Sequence, residues 1–119
     1  MAASRNPRAR LLHIRDEIDQ LARVVEGLDE EAFSSSYLHR RAAEHAVLII
    51  SEAVRALPAE MLQRHPGPNW PAMRGIGNVL RHDCFAIEPA VLWHVVSIHL
   101  PELRPVILQM IAELGSGTA

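Results

Sequence analysis

The sequence predicts an all-α fold, a single-domain up-and-down bundle of four to six helices. Three observations carry that prediction. Apolar residues recur at steps of three and four along several segments, and no segment alternates as a half-buried strand does. Short connectors rich in proline, glycine and serine separate these segments. The 119 residues suffice for one compact domain and are too few for two. The domain is expected to span residues 1–119, with residues 1–6 and 116–119 as disordered tails.

The elements follow in order. Pro7 suits the first turn of a helix. Leu11, Ile14, Ile18, Leu21, Val25 and Leu28 form one narrow seam, with Arg10, Asp16, Glu17, Asp19, Gln20 and Arg23 outside it. This helix is expected to end near Gly27, and Asp29 to cap a short turn over residues 30–33. Ser34 to Ser36 break the pattern and offer the next N-cap. A second long helix is expected from Tyr37 to Leu57, burying Leu38, Ala42, Ala46, Ile49, Ala53 and Leu57. Val47, Leu48 and Ile50 widen its apolar surface, which places it mid-bundle or at a subunit interface. Residues 58–64 suit a short helix, and His65 to Pro71 a connector with three prolines. A central helix is expected over residues 71–82, a linker over 83–87, and another helix from Glu88 that Pro101 interrupts. The last helix carries Leu103, Val106, Ile107, Met110, Ile111 and Leu114 and is expected to end at Gly115.

Composition narrows the function. The chain is 49% hydrophobic, 22% charged and only 4% aromatic, so aliphatic side chains must build the core. All positive side chains are arginine, the better fork for phosphate and carboxylate. The formal net charge of −2 provides no global field for nucleic acid, so any RNA contact needs a local cluster. One cysteine, Cys84, allows no intrachain disulfide and fits a reducing cytoplasm. No apolar run approaches the ~20 residues of a membrane span. The basic start MAASRNPRAR lacks the apolar core of a signal peptide. The expected setting is cytoplasmic, with no membrane partner.

The candidate site lies in WPAMRGIGNVLRHDCF, residues 70–85. Helical phase puts Arg74, Asn78 and His82 on one stripe: a cation, an amide and an imidazole suited to a phosphate. Arg81 lies about 100° from His82, where it either faces solvent or reaches such a phosphate from the side. Gly75 and Gly77 each cost roughly 1 kcal/mol against alanine in a helix, so a close backbone approach is expected there. Met73, Ile76, Val79 and Leu80 are expected to hold the helix down. The bland alternative for His82 is a polar C-terminal residue favoured by the helix dipole. Arg40 and Arg41 are candidates for an anion groove or for a solvated face. Cys84 reads as a small buried residue, or as a thiolate if His82 is near. His94 and His99 are five apart, and His39 and His45 six, neither of which suits helical metal ligands. No metal or other cofactor is implied, and His13 and His65 read as surface residues.

The order of these pieces carries a resemblance. A seamed helix precedes RRAAEHAVLIISEAVRALP, then NWPAMRGIGNVLRH, then IEPAVLWHVV, then LPELRPVI. From about Leu11 to Ile107 the chain resembles the HepT-like toxins of the HEPN superfamily, small bacterial all-α proteins encoded beside a minimal nucleotidyltransferase antitoxin, MntA. The resemblance implies a HEPN-like bundle, a metal-independent RNase, an RNA substrate and an MntA-type partner. Since one histidine is short for acid and base together, a homodimer that doubles the set is expected, and the helix glycines allow its approach. The family pattern is an arginine, four to six residues, a histidine, one residue and a tyrosine. Its histidine falls on His82 and its usual asparagine on Asn78; its arginine falls on Gly77 and its tyrosine on Cys84. Arg74 and Arg81 are then the candidate phosphate-stabilising cations, and Cys84 occupies the position that the antitoxin modifies in the family. Two other readings stand beside a toxin RNase. One is an inactive homologue, a helical dimer that binds a nucleotidyltransferase or a nucleotide. The other is a plain bundle in which Arg74 and His82 pair with Glu44 or Glu52.

Overall fold

Asn6 opens the fold by capping the first helix. Its Oδ1 accepts from the Arg8 and Ala9 amides at 2.9 and 3.4 Å, so Asn6 is part of the bundle and not of a disordered arm. The computed structural model describes residues 6–83 and 87–118, with side chains through Gly115. Residues 1–5 and 119, assigned above to disordered tails, and Cys84 lie outside the described residues.

Helix α1 (Pro7–Val24) buries Leu11, Ile14, Ile18 and Leu21, four of the expected seam residues; Val25 and Leu28 pack against the core beyond its end. Gly27 turns the chain at φ +81°, a left-handed conformation that glycine adopts without strain. Helix α2 (Glu30–Ser34) is capped by Asp29, whose carboxylate accepts from the Ala32 amide at 2.8 Å. Its buried Phe33 meets the ring of Trp93 at 5.1 Å between centroids.

Helix α3 (Tyr37–Arg55) starts at Ser36, whose hydroxyl accepts from the His39 amide. It packs on α1, α2, the central helix and the helix after it, so it is the mid-bundle element that its wide apolar surface implied. Its buried side differs from expectation. Ala43, Ala46, Val47, Ile50, Ala53 and Val54 are buried, whereas Leu38 is 72% exposed and Ala42 and Ile49 are only half-buried. The Leu38–Ala42–Ile49 line lies at the edge of a face whose centre is set by neighbours on two sides.

Helix α4 (Ala59–Gln63) leads into the connector, and helix α5 (Trp70–His82) is the central element. Helix α6 (Pro89–His94), a π turn (Val95–His99) and helix α7 (Leu100–Thr118) then follow without a break. Pro101 does not interrupt this run. A proline ring crowds the carbonyl four residues back and removes a donor, and the wider π turn just before it relieves that crowding. The helix also continues past Gly115 to Thr118, and Pro105 sits inside it. Contrary to the sequence reading, Pro89–Gly115 is long and apolar enough, by length and composition, to cross a membrane. Here its Leu92, Val96, Leu100, Leu103, Ile107 and Met110 belong to the core. The described residues contain no strand, and the fold is an all-α bundle.

Helix α7 is tied to α1 by a fork. Arg104 Nε and Nη2 donate to the two carboxylate oxygens of Asp19 at 2.6 and 3.1 Å. The hydrogen bond from Arg104 holds the Asp19 carboxyl below its usual range. A carboxyl whose pKa is lower folded than unfolded stabilises the fold above its unfolded pKa, near 3.9. That stability is lost as pH falls through the folded value. Asp19→Asn is therefore expected to lower Tm at pH 7, with the difference from the parent shrinking to nothing at strongly acidic pH. Thermal melts at a series of pH values check this.

Candidate functional site

The site is built on α5, and its ends explain its position. Asn69 Oδ1 caps the helix by accepting from the Ala72 amide at 3.1 Å, and Pro71 occupies the first turn. The buried Trp70 indole donates to the carbonyl of His65 at 2.8 Å, which fixes the connector to the helix start. Ser51 on α3 then sets the depth of α5, its hydroxyl donating to the Met73 carbonyl at 2.7 Å.

Gly77 is the closest approach between the two helices. A Cβ built there would fall 1.8 Å from Ser51 Oγ and 2.4 Å from Ser51 Cβ. Gly75 has no such neighbour; a Cβ there meets nothing within 4 Å. The close approach expected at both glycines exists at Gly77 alone. Of the residues expected to hold the helix down, Leu80 is buried and Met73 and Ile76 are half-buried, but Val79 is 40% exposed. Gly77 and Trp70 complete the buried side.

These facts set the outer face. At about 100° per residue, Asn78 and His82 lie about 160° and about 200° round from Leu80, directly away from the bundle. Both are exposed. Gly75 shares this face two turns before His82 and leaves it flat there. Arg74 is half-buried on the flank, and Arg81 is exposed on the same flank.

The cations divide into held and unheld. Arg81 Nη2 donates to Asn78 Oδ1 at 3.1 Å, and its Nε lies 3.7 Å from Glu52 Oε2. That carboxylate oxygen is shielded from solvent and has no hydrogen bond among the described residues, so Arg81 is its charge partner. No hydrogen bond or ion pair of the described residues involves the side chains of Arg74 or His82. The pairing of these two with Glu44 or Glu52 is thus replaced by other partners: Arg41 holds Glu44 at 2.9 Å and Arg81 holds Glu52. The stripe of Arg74, Asn78 and His82 exists, but its ends are eight residues apart, about 12 Å along the axis. Helical side chains lean toward the N-terminus, which carries the Arg74 guanidinium still farther from His82. One α5 therefore does not bring both groups to one phosphate.

The remaining candidates separate similarly. Arg40 donates through Nη1 to the Ser34 carbonyl, tying α3 back onto α2. Arg41 lines a groove between α3 and α5 with Glu44, His45, Leu48 and Leu80, a juxtaposition that sequence reading missed because its parts lie more than thirty residues apart. His65 is not a surface residue. Its side chain is 9% exposed, and its Nε2 sits 3.0 Å from Glu113 Oε1 on α7. His13 is exposed beside Glu17, and His99 beside Glu102. Among the described residues no three His, Cys, Asp or Glu side chains converge as metal ligands.

The sequence pattern of the family described as Ribonuclease HepT-like matches residues 14–110. The chain belongs to the HepT-like ribonuclease family. A candidate RNase of Caldanaerobacter subterraneus subsp. tengcongensis is 31% identical over 100 residues, 84% of this chain and 89% of that one. A candidate RNase of Methanocaldococcus jannaschii is 26% identical over 102 residues, 86% of this chain and 94% of its own. A candidate ribonuclease HepT of Thermococcus cleftensis is 27% identical over 97 residues, 76% of this chain and 88% of that one. No solved structure matches the chain. Against the HepT-like pattern described above, the position of the arginine is the buried Gly77, which faces α3 and not the His82 face.

Proposed function

We propose that this HepT-like chain is the toxin of a bacterial toxin–antitoxin pair, a metal-independent endoribonuclease that works as a homodimer through the outer face of α5. The observation that carries the reading is the exposure of Asn78 and His82 on a face kept flat by Gly75. An antiparallel pair of α5 helices about a two-fold axis near Asn78 sets residue 74 of one copy opposite residue 82 of the other, because each lies four residues from Asn78. Such pairing supplies the phosphate cation that a single α5 keeps about 12 Å away.

The chemistry is an internal transesterification. The ribose 2′-hydroxyl loses its proton and attacks the adjacent phosphorus. The 5′-oxygen leaves with a proton, giving a 2′,3′-cyclic phosphate on one fragment and a 5′-hydroxyl on the other. His82 moves a proton at one of these oxygens, its ring nitrogens serving as acceptor or donor. Its two-fold copy serves the second, equivalent site, and water exchanges the other proton. Arg74 of the facing copy stabilises charge on the phosphoryl oxygens, and Asn78 orients the substrate.

Purified protein in EDTA is expected to cut RNA and leave 2′,3′-cyclic ends. Arg74→Ala and His82→Ala are each expected to be inactive alone. Unfolding and refolding them together is expected to restore about a quarter of the parent activity. Half of the random dimers are mixed, and each mixed dimer has one intact site of two. Restoration of nothing rejects the shared site. The natural antitoxin is a small nucleotidyltransferase of the MntA type, whose co-expression is expected to relieve growth arrest.

A second reading has its own observation. The position that carries arginine in the family has no room for a side chain here, because Ser51 fills it. On that reading the dimer has lost catalysis and only binds its nucleotidyltransferase partner or a nucleotide. RNA binding that weakens with salt, without cleavage, selects it.

A further inference from the structure

We propose that the groove between α3 and α5 recognises a guanine base in single-stranded RNA, with Glu44 and Arg41 reading its edge. The proposal rests on the RNase reading above and names a determinant of its substrate choice.

The groove is lined by Arg41, Glu44, His45, Leu48 and Leu80 and encloses about 220 Å³. That is below the ~300 Å³ at which drug-sized pockets begin, and suits a single planar ring system. Leu48 and the buried Leu80 supply an apolar floor for the face of a base. The rim carries the selectivity. Arg41 Nη1 donates to Glu44 Oε1 at 2.9 Å, and the side chains are only 28% and 12% exposed. The guanidinium also lies 5.1 Å from the centre of the Tyr37 ring. The ion pair thus holds a donor and an acceptor side by side before any ligand arrives.

Guanine presents a matching edge. Its N1–H and N2–H₂ donors fit the carboxylate of Glu44, and its neighbouring O6 accepts from Arg41. Adenine presents the reverse, a donor at N6 beside an acceptor at N1, and sets donor against donor at Arg41 and acceptor against acceptor at Glu44. Uracil has a donor at N3 next to an acceptor at O4, but lacks the second donor. Such edges are open only in unpaired strands, where flanking bases stack on exposed side chains. Tyr37, the only tyrosine of the chain, is 65% exposed, and Leu38 beside it is 72% exposed. Leu80 precedes His82 by two residues, about 3 Å along the axis. The groove therefore sits level with the imidazole but on the α3 side of the helix, so the base read there is one farther along the strand and not the one beside the scissile phosphate.

The test uses the full-length protein and 2′-O-methyl RNA, which binds but lacks the attacking hydroxyl. An all-adenosine strand and the same strand with one central guanosine are compared by fluorescence anisotropy. The guanosine strand is expected to bind about tenfold more tightly. Glu44→Gln is expected to abolish that preference, bringing the two strands to equal affinity. As a measurement independent of that variant, GMP is expected to shift the Leu48 and Leu80 methyl resonances of the parent protein, and AMP to leave them in place. Equal affinity of the parent protein for the two strands, or a preference that survives Glu44→Gln, overturns the subsite while RNA binding keeps the RNase reading. Failure of every strand to bind overturns both.

Discussion

His82→Ala is expected to lower RNA cleavage by about 10²–10⁴-fold, the usual contribution of a general acid or base. The fold is expected to be untouched. The side chain is exposed, and no hydrogen bond of the described residues depends on it. Circular dichroism and thermal melting of the variant are therefore expected to match the parent, so that a loss of activity reports on chemistry. His82→Asn, which keeps a polar group but no titrating one, is expected to be as inactive. Retention of parent-level cleavage in either variant ends the assignment of His82. The same two proteins in a growth assay are expected to lose toxicity together.

Gly77→Ala is expected to show the opposite pattern, a loss of stability at a residue with no chemistry. Its Cβ would fall 1.8 Å from Ser51 Oγ and 2.4 Å from Ser51 Cβ, so rotating the hydroxyl away does not relieve it. Overpacking of this kind costs typically 1–3 kcal/mol, against which the helix recovers up to about 1 kcal/mol from alanine's propensity. A net loss of about 1–2 kcal/mol corresponds to a Tm lower by roughly 4–8 °C for a domain of this size. Gly77→Arg restores the family's arginine in the sequence, yet it is expected to unfold the protein and not to raise its activity. Ser51→Gly in the Gly77→Ala background is expected to recover part of the loss by removing both colliding atoms, though it also gives up the hydrogen bond to Met73. Denaturant melts of the two single variants and the double variant measure this coupling. Additive losses would show that the two residues do not meet.

The sequence was most readable where a helix has one neighbour-facing side. In α1 the steps of three and four pick out Leu11, Ile14, Ile18 and Leu21, and all four are buried. The caps at Asp29 and Ser36 were legible because capping is local chemistry between residues three apart. Helix α3 was less readable. It is apolar on more than one side, so its phase is decided by α1 and α5, and Leu38 ends in solvent. Pro101 misled because a proline's effect depends on whether the preceding turn can widen. For the site, the stripe of Arg74, Asn78 and His82 was legible from period alone, as was the presence of a close approach. Which glycine made that approach was not, since it depends on Ser51, twenty-six residues upstream of Gly77. The ion pairs of Arg41 and Arg81, and the burial of His65 against Glu113, are likewise contacts that spacing along one helix does not specify fully.

The two prolines of α7 have an effect on how that helix meets water. Each removes one amide, so the backbone ladder lacks one donor at each proline. Ser97, Pro101 and Pro105 are all exposed. Both gaps lie on the side of the helix that water reaches, so bending there lengthens only bonds that solvent can replace. The longest rod of the bundle can bow over α1 on its wet side while the row from Leu100 to Met110 keeps its packing.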